Sequence, residues 1–124
     1  MPTNTLKKRT GITRILYTFI HSLNGFRWLT KNETAFQQEL ILLAPLTILA
    51  IYLDISLMHT ITVIVSMLFV LFAEMVNTAI EAVVDRIGLN YHPLSGVAKD
   101  IGSAMVFLSM VMCLMIWGAV LWSL

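Results

Sequence analysis

Charge is what this sequence has least of: Asp, Glu, Lys and Arg make up 12% of its 124 residues, about half the share of a soluble domain. Hydrophobic residues make up 58%. That balance leaves too little polar surface for a water-soluble protein of one-domain length and suits a few membrane helices. With a net charge of +1 there is no basic field of the kind a nucleic-acid partner requires. Cysteine is nearly absent. Cys113 stands alone in an apolar run, which excludes an intramolecular disulfide and predicts a small packed hydrophobe. No Gly-x-x-x-x-Gly-Lys-[Ser/Thr] occurs, so a nucleotide site here is not a P-loop. His21, His59 and His92 lack the spacing of a zinc site.

Long apolar runs are what the chain has instead. Leu40 to Leu53, Ile55 to Ala73 and Ile101 to Leu124 contain almost no charge, and about 20 apolar residues cross a hydrocarbon core of roughly 30 Å. The first run is long enough only if Glu33 to Glu39 belongs to the same helix. Pro45 interrupts it, which a membrane helix tolerates when neighbours satisfy the freed carbonyl. Three transmembrane helices are predicted, at about 33–53, 56–86 and 95–122. Ahead of them no compact apolar core with a small-residue cleavage site marks a signal peptide. Ile12, Ile15, Leu16, Phe19, Leu23 and Phe26 recur at helical spacing, predicting a surface-lying amphipathic helix over about 10–29; a helix packed on protein is the alternative. Lys7, Lys8, Arg9, Arg14, Arg27 and Lys31 precede the first span, the next loop has no Lys or Arg, and Arg86 and Lys99 flank the second loop. Basic residues collect on the cytoplasmic side, so the N-terminus and second loop are predicted there. Trp28, Trp117 and Trp122 fit an interfacial belt.

Against this background "FAEMVNTAIEAVVD" stands out. At about 100° per residue Glu74, Asn77, Glu81 and Asp85 form one stripe roughly 16 Å long at the cytoplasmic end of the second span. A charge at mid-membrane costs roughly 2.5–3.5 kcal/mol, so such residues meet protein, water or cations and mark function. The plainer role is interhelical hydrogen bonding, evenly weighted for Asn77 alone but weaker for two glutamates on one face. A carboxylate with little water around it is a stronger proton acceptor than in water, which makes Glu74, the deepest, a candidate general base. Glu81 suits Mg²⁺, which takes one or two carboxylates plus substrate phosphates. Glu33 is an equal tie between second metal ligand and a capping box "TKNE", with Thr30 as N-cap. Two functional classes follow from the residues alone: a membrane enzyme performing metal-assisted phosphoryl transfer to a lipid hydroxyl, and a small proton- or cation-coupled transporter. An assembly subunit without chemistry is the plain third. Crowding of the stripe at one end favours the enzyme, since a carrier site belongs near the midplane.

"NETAFQQE", "EMVNTAIEAVVDRIG" and "YHPLSGVAKDIGSA" together resemble the prokaryotic diacylglycerol kinase family, over about residues 11–122. The resemblance implies an all-α integral membrane protein with three transmembrane helices and a surface helix, assembled as a homotrimer in the bacterial inner membrane. It implies transfer of the γ-phosphoryl group of Mg-ATP to diacylglycerol. By matching motif it makes Glu74 the catalytic base and Glu33 and Glu81 the metal ligands, tipping the tie over Glu33. It places Arg14, His21, Asn90, Tyr91, His92, Lys99 and Asp100 with Glu33 and Glu81 at the nucleotide. Arg14, Glu39, Glu74, Ser103 and Trp117 would meet the lipid, with Asn77 and Asp85 in support. Gln37 and Val97 stand where close relatives are expected to carry arginine. A sister branch phosphorylates undecaprenol; the "DRIG" to "GSA" segment here is more similar to the diacylglycerol branch.

Overall fold

The computed structural model describes residues 9–124, and four helices account for nearly all of them: α1 (Gly11–Asn32), α2 (Thr34–Tyr52), α3 (Leu57–Ile87) and α4 (Pro93–Trp122). Lys7 and Lys8, part of the basic N-terminal cluster, lie outside the described residues. The three helices α2, α3 and α4 are long and apolar enough to cross a membrane.

Local chemistry sets the helix ends. Ser56 caps α3, its hydroxyl accepting the His59 N–H at 3.2 Å, as an N-cap serine does. His92 caps α4 through Nδ1, which accepts the Leu94 N–H at 3.1 Å. Pro93 follows at the first helical position, where its missing N–H costs nothing. α2 runs through Pro45 without a break; the proline occupies an exposed side of the helix.

The joint between α1 and α2 differs from the predicted capping box. α1 continues past residue 29 because polar side chains bond back onto it: Thr30 Oγ1 donates to Arg27 O and Asn32 Nδ2 to Trp28 O, both at 2.9 Å. Thr30 is therefore a helical residue, not an N-cap. Glu33 is the whole joint. It adopts φ −106°, ψ 107°, ending one helix and opening the next, and its carboxylate makes no capping bond. Gln37 Nε2 donates to Thr30 O at 2.8 Å and ties the two helices together.

α3 is the central element, packed along α4 on one side and α2 on another, while α1 meets the bundle only near its own C-terminal end. The apolar core occupies one half of the bundle: Leu43 and Ala50, Val63, Met67 and Val70, and Cys113, Trp117 and Val120. Cys113 packs there as predicted, with Ser66 Oγ 3.5 Å from its Sγ. Trp117 belongs to this core and is 9% exposed, so it is not a belt residue, whereas Trp28 and Trp122 are exposed. Outward faces of α2, α3 and α4 stay apolar, with Ile41, Leu57, Phe107 and Leu114 all exposed; bilayer hydrocarbon suits such faces and water does not. Along α1, every residue from Gly11 to Trp28 is exposed and only Leu29 is buried.

Candidate active site

The other half of the bundle is polar inside. Moving along α3 beyond the core, Glu74, Asn77 and Thr78 are buried, Glu81 is half-buried and Asp85 is exposed. The stripe thus grades from dry to wet over three turns. Glu74 does not stand alone: Glu39 of α2, itself 8% exposed, brings its carboxyl into contact with it. Glu81 and Glu33 are close enough for their charges to act on Glu74. Four carboxylates from α2, α3 and the α1–α2 joint therefore converge on one end of α3.

Asn77 organises the middle of the stripe. Its Nδ2 donates to Glu81 Oε1 at 3.3 Å. Its Oδ1 packs against Gly102 of α4, where a Cβ would land on that oxygen. The bare Cα of Gly102 lets α4 approach the amide this closely; any larger residue would displace the Asn77 side chain. Glu39 Oε2, Asn77 Oδ1 and Thr78 Oγ1 are buried without hydrogen-bond partners. Buried polar atoms are paired in the great majority of cases, so three orphans, one on α2 and two on neighbouring positions of α3, mark this end of the bundle as a candidate site.

Asn90, Tyr91 and His92 line one open cavity of ≈ 410 Å³ with Ile87, Gly88 and Ser95, at the α3–α4 connection. Lys99 Nζ forms an ion pair with Asp85 Oδ1 at 2.7 Å, partly in solvent. Asp100 and Ser103 are exposed on α4. Arg14 and His21 are on the exposed part of α1; Arg14 lines a surface groove with Ile15, Thr18 and Phe19, and His21 lies beside Tyr17 with ring centroids 6.3 Å apart. Within one chain these two are not brought to the stripe. Trp117 is in the apolar core among Val63, Met67 and Cys113, away from Glu74, with its indole N–H unpaired. Among the described residues no three His, Cys, Asp or Glu side chains form a metal-binding group.

Sequence reasoning passed over two residues. Thr78 reads as a neutral member of an apolar helix face, and only its orphaned hydroxyl marks it. Gly102 reads as a small interface residue; its pairing with Asn77 depends on the packing of α3 against α4.

Comparison with known proteins places these residues in a family. The description "Prokaryotic diacylglycerol kinase" matches residues 20–121. The chain is 42% identical over 114 residues to a diacylglycerol kinase of Escherichia coli (strain K12), covering 92% of this chain and 93% of that protein. It is likewise 42% identical over 114 residues to a diacylglycerol kinase of Haemophilus influenzae, covering 92% and 97%. A diacylglycerol kinase of Pseudomonas aeruginosa is 39% identical over 121 residues, 98% of either chain. The carboxylate-lined end of α3 thus sits inside a match that spans nearly the whole sequence, and the chain belongs to the prokaryotic diacylglycerol kinase family.

Proposed function

We propose that this chain is an ATP-dependent lipid kinase, which transfers the γ-phosphoryl group of ATP to the primary hydroxyl of diacylglycerol and yields phosphatidic acid and ADP. The observation that carries the reading is the buried Glu74, set beside Glu39 and one turn from Asn77 at one end of a membrane-length helix, in a chain of this family.

Glu74 accepts the proton of the lipid hydroxyl as its oxygen bonds to the γ-phosphorus and the bond to the ADP oxygen breaks. Glu39, in contact with Glu74, offers an acceptor for the captured proton. Asn77, wedged against Gly102, holds Glu81 by one oxygen and leaves the other for a cation. Glu33 has no capping duty. Two free carboxylate oxygens of this kind fit Mg²⁺, a hard cation that completes its shell with substrate phosphates and needs no three-residue protein cage. Glu33 and Glu81 would hold it, and when bound it neutralises charge on the phosphates during transfer. Asn90, Tyr91, His92, Lys99 and Asp100 form the nucleotide side, Lys99 exchanging Asp85 for a phosphate. Glu39 and Ser103 belong to the lipid side; Trp117, packed in the apolar core, does not.

The assembly is a homotrimer in the bacterial inner membrane, with the N-terminus cytoplasmic and α1 lying in the membrane surface. Support comes from the basic residues at one end of the bundle, from the apolar row on α1 left without protein partners among the described residues, and from Arg14 and His21, which one chain holds away from its own stripe. A neighbouring chain would complete each site. The direct test offers labelled ATP with diacylglycerol and undecaprenol separately in mixed micelles. Transfer with the higher kcat/KM to diacylglycerol is expected. Preference for undecaprenol would move the chain to the sister branch, and transfer to neither would overturn the kinase reading.

A further inference from the structure

Asp85 is placed where its own helix gains nothing from it. It lies in the last turn of α3, which ends at Ile87, and a carboxylate there faces the negative end of the helix dipole. Its partner is on the next helix instead. Asp85 Oδ1 accepts a hydrogen bond from Lys99 Nζ of α4 at 2.7 Å, and the two make the only ion pair among the described residues. Their side chains are 44% exposed for Lys99 and 47% for Asp85, so water screens the pair and it adds little to the stability of the fold.

Lys99 stands where phosphate has to pass. Glu81, the half-buried candidate metal ligand, is close enough for its charge to act on Lys99. The ammonium group is therefore at the wet end of the stripe, beside the place proposed for the phosphates. Lysine is a point charge on a flexible stem of four carbons, able to turn from one anion to another without moving its helix. Asp85 offers it a single negative charge, whereas a terminal phosphoryl group carries about −1.5 to −2 near pH 7. The phosphate takes the lysine while it is present, and the carboxylate competes to take it back.

We infer that the Lys99–Asp85 pair is a latch for product release, in which Asp85 recaptures Lys99 from the new phosphate group of the lipid. The inference rests on the lipid-kinase reading above. After transfer, the charge that Lys99 held on the nucleotide is on the lipid, as a phosphate monoester. A lysine left on that monoester would keep phosphatidic acid in the site. Asp85 is an intramolecular substitute that limits this hold, and the same competition weakens the first grip on ATP. Asp85 is thus a positioning residue that acts through Lys99 and touches neither substrate itself.

The test uses the full-length protein in mixed micelles, unaltered and with Asp85→Asn, Asp85→Ala or Asp85→Glu. Removing the carboxylate should tighten phosphate binding, the opposite of what loss of a binding or structural residue does. Asp85→Asn and Asp85→Ala should each lower KM for ATP and the inhibition constant of phosphatidic acid, by roughly one-and-a-half- to fivefold, the span of an exposed ion pair. Asp85→Glu keeps the charge and should stay near the unaltered values. KM for diacylglycerol, which has no phosphate, should not move in any of the three. Lys99→Met separates the latch from plain repulsion between Asp85 and phosphate. With the lysine absent, adding Asp85→Asn should no longer tighten binding, read as the Kd of a non-hydrolysable ATP analogue with Mg²⁺. An equal gain without Lys99 would overturn the latch. So would charge-removing variants whose KM for ATP rises or stays where it was. No transfer to diacylglycerol by the unaltered protein would overturn the kinase reading, and the latch with it.

Discussion

At the scale of single residues, the site depends on a few groups whose removal has separable consequences. Glu74→Gln keeps size and polarity but not basicity. Phosphoryl transfer should fall at least a hundredfold, in keeping with the 10²–10⁴ typical of general acid–base catalysis, while membrane insertion and oligomer recovery stay normal. Retention of a large share of turnover would remove Glu74 from the role of base. The same variant tests a cation-carrier role: vesicles of the unaltered protein should show no ATP-independent proton flux that Glu74→Gln abolishes. Gly102 offers a second, purely steric test. A methyl group there lands on Asn77 Oδ1, so Gly102→Ala must push Asn77 off Glu81 or push α4 off α3. The expected cost is about 1–3 kcal/mol of stability, as for other overpacked sites, with a loss of kcat. Gly118→Ala, on the same helix with nothing within 4 Å, is the control: the rate should not change and the thermal midpoint should hold or rise, since alanine is the better helix former.

At the scale of elements, the junctions between helices carry as much of the site as the helices do. The α1–α2 joint is a single extended residue, Glu33. Because Thr30 bonds back into α1, no capping box competes for the Glu33 carboxylate. Glu33→Asp and Glu81→Asp, each retracting a ligand by one methylene, should raise the Mg²⁺ concentration for half-maximal rate several-fold with little change in thermal midpoint. Normal metal dependence accompanied by lost stability would return Glu33 to a structural role. The start of α4 joins two duties in one residue. His92 Nδ1 accepts the Leu94 N–H while the residue lines the cavity with Asn90 and Tyr91. His92→Asn keeps a capping acceptor and His92→Ala does not. Both should raise KM for ATP, but only the alanine variant should lose about 1 kcal/mol of stability. If the asparagine variant binds ATP normally, His92 is a cap alone.

At the scale of the whole molecule, one chain holds its candidate base, its candidate metal ligands and its polar stripe together, yet leaves Arg14 and His21 on an exposed helix. The proposed trimer, with each site completed by a neighbouring chain, would account for that separation. Glu74→Gln mixed with a second inactive variant, altered at Arg14, Glu33, Lys99 or Asp100, should regain activity for the pairs donated by different chains when both are unfolded together and reassembled. In a closed trimer at equal input about a quarter of assemblies are homogeneous by binomial mixing, so about three quarters contain both chains. Crosslinked mixed trimers without recovered activity for any pair would make each site self-contained.

Much of this was legible in the sequence, for physical reasons that differ from residue to residue. Membrane solvent forces every backbone group into internal hydrogen bonds, so long uncharged runs specify helices, and a 3.6-residue period specifies which of their residues share a face. That is why Glu74, Asn77, Glu81 and Asp85 read as one stripe without any coordinates. The scarcity of charge along so apolar a chain likewise makes the carboxylates stand out. What periodicity cannot express is which face meets which neighbour. The contact of Glu39 with Glu74, the need for a bare Cα at Gly102, the orphaned hydroxyl of Thr78 and the removal of Trp117 into the core all arise where two helices pack. The end of α1 was decided the same way, by Thr30 and Asn32 bonding to carbonyls behind them instead of capping the helix ahead. Local pattern determined the elements and the chemistry they carry; close packing between helices decided which of those groups touch.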